Sequence, residues 1–125
     1  MGLLDGLIGN ASKVDPAKMQ EEFERILADG ERIEVAYQLI RDSFLFTNRR
    51  LILVDRQGLT GSKVEYHSIP YRSITHFTVE TGGHFDLDAE LKIWITGAEQ
   101  PLQKQFNRRL SIYELQSVLA GYVLR

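Results

Sequence analysis

Between Asp15 and Asp29 the apolar residues Met19, Phe23, Ile26 and Leu27 recur at steps of four, three and one, which gathers them on one stripe of a helix. Asp15 is placed to cap the first free amides, Pro16 suits the first helical position, and Gly30 offers a left-handed stop. Such a stripe must bury against something. Ahead of it, Leu3, Leu4, Leu7 and Ile8 make a second stripe too brief to stand as a helix alone. Residues 1–30 therefore read as an N-terminal helical extension, and residues 31–125 as the domain that follows.

After Gly30 the period changes to two. Ile33, Val35, Tyr37 and Leu39 alternate with polar neighbours over Arg32–Leu39, the pattern of a strand with one wet face. Ser43–Thr47 predicts a second strand and Arg49–Asp55 a third, whose unbroken Leu51, Ile52, Leu53 and Val54 suit a strand covered on both faces. The turn Arg56–Gly61 leads to a fourth at Lys63–Ile69, ended by Pro70, and Ser73–Thr81 predicts a fifth, stopped by Gly82 and Gly83. A sixth spans Glu90–Thr96. The seventh, Leu102–Phe106, follows Pro101, whose missing amide fits a strand start. Ser111 and Glu114 then form a capping box, and Ile112, Leu115, Val118, Leu119, Tyr122 and Val123 give the last helix one broad apolar face. Short loops between seven strands require an antiparallel sheet, and a twisted sheet of that size curls, splits or closes, with the amphipathic helix as the natural plug for an open end.

Charge narrows the tasks available to such a domain. The chain of 125 residues carries 15 Lys and Arg against 17 Asp and Glu, a net charge of −2 that lacks the cationic excess of a nucleic-acid binder. The charges are segregated: −4 over residues 1–31, +2 over 32–80, −3 over 81–100 and +3 over 101–125. Such alternating blocks suit copies of the chain meeting one another. With no cysteine, disulfides, thiolate zinc sites and a cysteine nucleophile are all excluded, compatibly with a reducing compartment. No apolar run approaches the ~18–20 residues that span a bilayer. The opening MGLLDGLIGNASK has no basic region and carries Gly6 where a myristoylation motif has Ser or Thr, so the expectation is a full-length cytoplasmic chain.

The stretches Thr47–Asp55 (TNRRLILVD), Ser68–Ile74 (SIPYRSI) and Val79–Leu91 (VETGGHFDLDAEL), with the capping-box helix, resemble the bacterial pleckstrin-homology (PH) domain family over about residues 15–124. The resemblance implies a mainly β fold, a PH-like seven-stranded antiparallel barrel or sandwich capped by a C-terminal helix. It implies a small cytoplasmic protein with no known catalysis and no cofactor, tending to assemble into ring-like homo-oligomers. Eukaryotic phosphoinositide-binding members carry several cations around their first hairpin turn. Here that turn, Leu39–Ser43, pairs one cation with one anion, and the tryptophan of their last helix is absent, since Trp94 lies in a strand. Phosphoinositide binding is therefore not carried over.

Four groups of residues remain as candidates for chemistry. Arg49 with Arg50, and Arg108 with Arg109, are the only doubled cations, and they offer a phosphate or anionic lipid head group a landing site, the second pair just ahead of the last helix, whose N-terminus itself favours anions. Asp86, Asp88 and Glu90 alternate on one face with His84 and present oxygens to Mg²⁺, Mn²⁺ or Ca²⁺; the same spacing arises in any polar strand face or in an acidic edge paired with Arg49, Arg50 or Arg72. His67 and His76 read as ordinary strand residues, and no nucleophile elbow or helical zinc spacing occurs. Finally, Met19, Phe23, Ile26 and Leu27 exceed what one small barrel covers, so they are expected at contacts between copies. The sequence thus points to a non-enzymatic domain that acts by self-association and protein docking, with peripheral binding of anionic lipid or phosphate as the alternative, and with neither nucleic acid nor an integral membrane span among its partners.

Overall fold

Asp15 caps the first helix as expected, its carboxylate accepting from the Ala17 amide at 3.0 Å. In the computed structural model, which describes residues 12–39, 41–81, 88–107 and 112–125, those residues form eight strands and two α-helices. The chain divides into two units, one running to Pro70 and the other beginning at Tyr71.

The first unit holds β1 (Ser12–Val14), α1 (Pro16–Phe23), β2 (Ile33–Gln38), β3 (Asp42–Thr47), β4 (Arg50–Gln57) and β5 (Lys63–Pro70). Its strands pair antiparallel in chain order, β1-β2-β3-β4-β5. Register sets Ala36 beside Leu45 and Leu45 beside Ile52, a row on one face of the sheet. Met19 and Phe23 of α1 pack on that row together with Ile33 and Val54. The other face carries Tyr37, Phe44, Phe46, Leu51 and Leu53, all buried, which accounts for the continuous apolar run in β4. An eight-residue helix has little stability of its own, so α1 is held by this packing and not by propensity.

Helical periodicity predicts α1 as far as Asp29, yet it ends at Phe23. A single 3-10 turn, Glu24–Ile26, follows, and then extended backbone at Leu27. Beyond that turn the chain is held off the helical path: Arg50 Nη2 donates to the Ile26 carbonyl at 2.7 Å, and the Ala28 amide, which a continuing helix would direct to Glu24, donates to the Glu31 carboxylate at 2.9 Å. Gly30 then turns the chain with φ 77°, a conformation that disfavours any residue with a Cβ.

The second unit opens with a 3-10 turn at Tyr71–Ser73, so the fifth expected strand starts one residue late, as β6 (Ile74–Thr81). It continues through β7 (Asp88–Ile95), β8 (Leu102–Asn107) and α2 (Ile112–Val123), with sheet order β6-β7-β8. Ala89, Leu91 and Ile93 are buried on one face of β7, and Leu115 and Leu119 are fully buried on α2, one helical turn apart. The end of α2 is fastened by Tyr122 stacked on Tyr71 at 4.8 Å, with Arg125 lying 5.0 Å over the Tyr122 ring. No helix among the described residues is long and apolar enough to cross a membrane. The architecture is thus mainly β, with two antiparallel sheets, an N-terminal helix and a C-terminal helix.

Candidate functional site

The residues from Ala28 to Ile33, between the end of α1 and the start of β2, are tied down from three directions. Gln20 of α1 accepts from the Ile33 amide at 2.7 Å and donates to the Glu31 carbonyl at 3.3 Å. Asn48, in the turn between β3 and β4, accepts from the Arg32 amide at 2.7 Å and donates to the Gly30 carbonyl at 3.2 Å. At the centre stands Glu31, whose side chain is 1% exposed. Its two oxygens receive Arg50 Nε at 2.8 Å, Arg50 Nη2 at 2.9 Å, the Ala28 amide at 2.9 Å and the Thr47 hydroxyl at 2.7 Å. Arg50 also reaches Ser68 Oγ with Nη1 at 2.7 Å.

Burial alone pushes the Glu31 carboxyl upward, but the hydrogen bonds from Arg50, Ala28 and Thr47 and the positive charge of Arg50 outweigh it, and the pKa falls from 4.5 to about 2. Glu31 is therefore ionised at any physiological pH. A buried ion pair adds stability only when its remaining hydrogen-bond capacity is met; here Glu31 accepts four bonds and Arg50 makes four, through Nε, Nη1 and Nη2, with its remaining exposure open to water.

This framework forms one wall of an open groove of about 420 Å³, lined by Arg25, Ile26, Leu27, Ala28, Glu31, Arg49, Arg50 and Pro70. The doubled cation of the sequence thus separates into two roles. Arg50 faces inward, 24% exposed and neutralised by Glu31. Arg49 is exposed at the rim, its Nη2 3.8 Å from where a Cβ on Gly30 would stand.

Arg108 and Arg109 lie outside the described residues, as do His84 and Asp86. Asp88 begins β7 opposite Asn107, and Glu90 sits two residues along, 3.7 Å from Lys92. Among the described residues no three potential ligands cluster as a metal site would require. Met19 and Phe23 are buried in the chain's own core, while Ile26 and Leu27 pack partly buried against it and line the groove. His76 stacks on Trp94 at 4.4 Å across the β6-β7 ladder. Sequence reasoning missed Arg25, Glu31, Thr47 and Asn48. The available signal was a charged residue, Glu31, directly before an alternating strand, but nothing local identifies its partner 19 residues away.

The family profile described as Bacterial PH domain matches residues 2–123. The chain is 59% identical over 122 residues to uncharacterized protein YjqA of Bacillus subtilis (strain 168), covering 97% of this chain and 98% of that protein. Two crystal structures share the fold. One, from Shewanella loihica PV-4, is described as having a pleckstrin-homology domain; it aligns with a TM-score of 0.82 at 49% identity, covering 92% of this chain and 98% of that one. The other, a pleckstrin homology domain from Shewanella amazonensis SB2B, aligns with a TM-score of 0.83 at 52% identity, covering 99% and 100%.

Proposed function

The chain belongs to the bacterial PH domain family, and from that premise we propose that it works without catalysis, as a cytoplasmic PH-like domain that associates with copies of itself and docks other proteins. The observation that carries this reading is the edge of the first sheet. β5 pairs with β4 and with no other described strand, and five of its eight residues are exposed, Tyr66 by 47%. An edge strand presents unpaired amides and carbonyls on which another chain can build.

Because Met19 and Phe23 already fill the chain's own core, contact between copies falls to this edge and not to the α1 stripe. An association that repeats around a rotation axis closes into a ring, and one that does not close grows into a filament. The alternation of acidic and basic blocks along the chain favours neighbours related in this way, since like blocks then avoid one another. Light scattering behind size-exclusion chromatography, over a wide range of loading concentrations, tests the reading. A discrete multiple of the 14.3 kDa chain is expected; a strictly monomeric protein at every concentration overturns it.

A further inference from the structure

We propose that the groove between the 3-10 turn and the β3-β4 turn binds a small organic oxyanion, a carboxylate or phosphate ester carried on a short apolar body. The proposal goes beyond self-association and uses a different surface, since the groove touches β5 only at Pro70.

Three observations bear on it. The first is charge. Arg25, Arg49 and Arg50 line the groove against the single carboxylate of Glu31, a surplus of two positive charges in a chain whose net charge is −2. The second is availability. Glu31 takes up Arg50, whereas Arg25 and Arg49 are exposed and, among the described residues, make no side-chain hydrogen bond or ion pair. Both line one groove and offer planar forks of N–H donors suited to an oxyanion.

The third observation is the lining between them. Ile26, Leu27 and Pro70 present an apolar surface, and a volume of about 420 Å³ lies in the range of pockets that hold small organic ligands. A bare inorganic anion would leave that surface wet, and an uncharged ligand would leave both guanidinium groups unanswered. The frame is set before any ligand arrives, because Gln20, Asn48, Thr47 and Arg50 fix the backbone from Ala28 to Ile33. Preorganisation of this kind lowers the entropic cost of binding.

Isothermal titration calorimetry of the full chain with phenyl phosphate tests the site, with inorganic phosphate and benzyl alcohol as probes of each half of the ligand alone. Phenyl phosphate is expected to bind more tightly than either. Arg25→Gln and Arg49→Gln are each expected to weaken it about tenfold, the loss of one charge-assisted contact. Neither guanidinium has a structural partner among the described residues, so an unchanged melting temperature distinguishes lost binding from lost folding. Displacement of phenyl phosphate by phosphatidylglycerol vesicles identifies the head group as lipid-borne; retention identifies a soluble anion. Equal binding of inorganic phosphate and phenyl phosphate, no binding of phenyl phosphate, or full binding by Arg49→Gln overturns the proposal, and none of these depends on the oligomeric state.

Discussion

Replacing Glu31 by Gln keeps the shape of the side chain and removes its charge. The consequence follows from geometry. Both carboxylate oxygens accept, one from Arg50 Nη2 and the Ala28 amide, the other from Arg50 Nε and the Thr47 hydroxyl. A carboxamide turns one of those acceptors into a donor, so at least one pair of donors is left facing an N–H group, and Arg50 loses its counter-charge. Removing one partner of a buried pair costs about 3–5 kcal/mol. Because Arg50 remains 24% exposed and keeps some access to water, the lower end applies.

The depressed pKa gives a second route to the same figure. A fall from 4.5 to about 2 is, at ~1.4 kcal/mol per pH unit, about 3 kcal/mol of preference of the folded chain for ionised Glu31. The sign is that of a carboxylate depressed on folding. This stability is complete above the unfolded value of 4.5 and is lost progressively as pH falls to about 2. Urea unfolding from pH 7 down to pH 2 should therefore show the Glu31→Gln variant about 3 kcal/mol less stable at neutral pH, with the gap to the parent closing between pH 4.5 and 2. Other carboxylates titrate in both proteins and cancel in the difference. A gap below about 1 kcal/mol at pH 7, or one that stays constant down to pH 2, would refute the assigned role of this ion pair.

Phe23→Ala should cost about 3–5 kcal/mol in urea unfolding, since the ring is buried in the α1 face of the first sheet and meets Tyr66 edge-on at 6.4 Å. Gly30→Ala forces a Cβ into φ 77° and should lower stability by about 1–2 kcal/mol, read as a lower melting temperature. Gly121→Ala should do the opposite: in α2 a Cβ there meets nothing within 4 Å and its φ is ordinary, so a gain of roughly 0.5–1 kcal/mol is expected from helix propensity. A destabilised Gly121→Ala protein would show that this face of α2 is covered in solution.

The strands were legible because burial on one face or two writes a pattern into consecutive residues. Leu51 to Val54 run unbroken because β4 is covered on both faces, but the alternation of Ile33, Val35 and Tyr37 pointed to one wet face that β2 does not have: the register shifts between Ile33 and Val35, so Ile33 joins Ala36 on the α1 face while Tyr37 is buried on the other. β1 was not legible, because Ser12–Val14 is too short to establish a period and exists by pairing with Ala36–Gln38. The helical stripe of Met19 and Phe23 was read correctly as a helix, but its end was not, because the bonds that hold residues 26–31 off the helical path run to Arg50 and Asn48, far along the chain. The groove follows the same rule. Two adjacent arginines look equivalent in sequence, and only the distant Glu31 separates the structural one from the exposed one.

The bond from Arg50 to the Ile26 carbonyl also constrains how this part of the chain can vary. Glu31, Thr47 and Arg50 form one unit, so their substitutions do not add: losing either charge alone strands the other, while losing both together removes the conflict. An apolar pair at the two positions would restore packing but free the Ile26 carbonyl and the Ala28 amide, leaving Gln20 and Asn48 alone to hold the chain from Gly30 to Ile33. With residues 26–28 released from Arg50 and Glu31, the apolar lining that Ile26 and Leu27 give the groove would lose its fixed position. Charge at positions 31 and 50 is thus tied to the shape of a surface that the ion pair itself hardly shows to solvent, and sequences that give up the pair are expected to give up the groove with it.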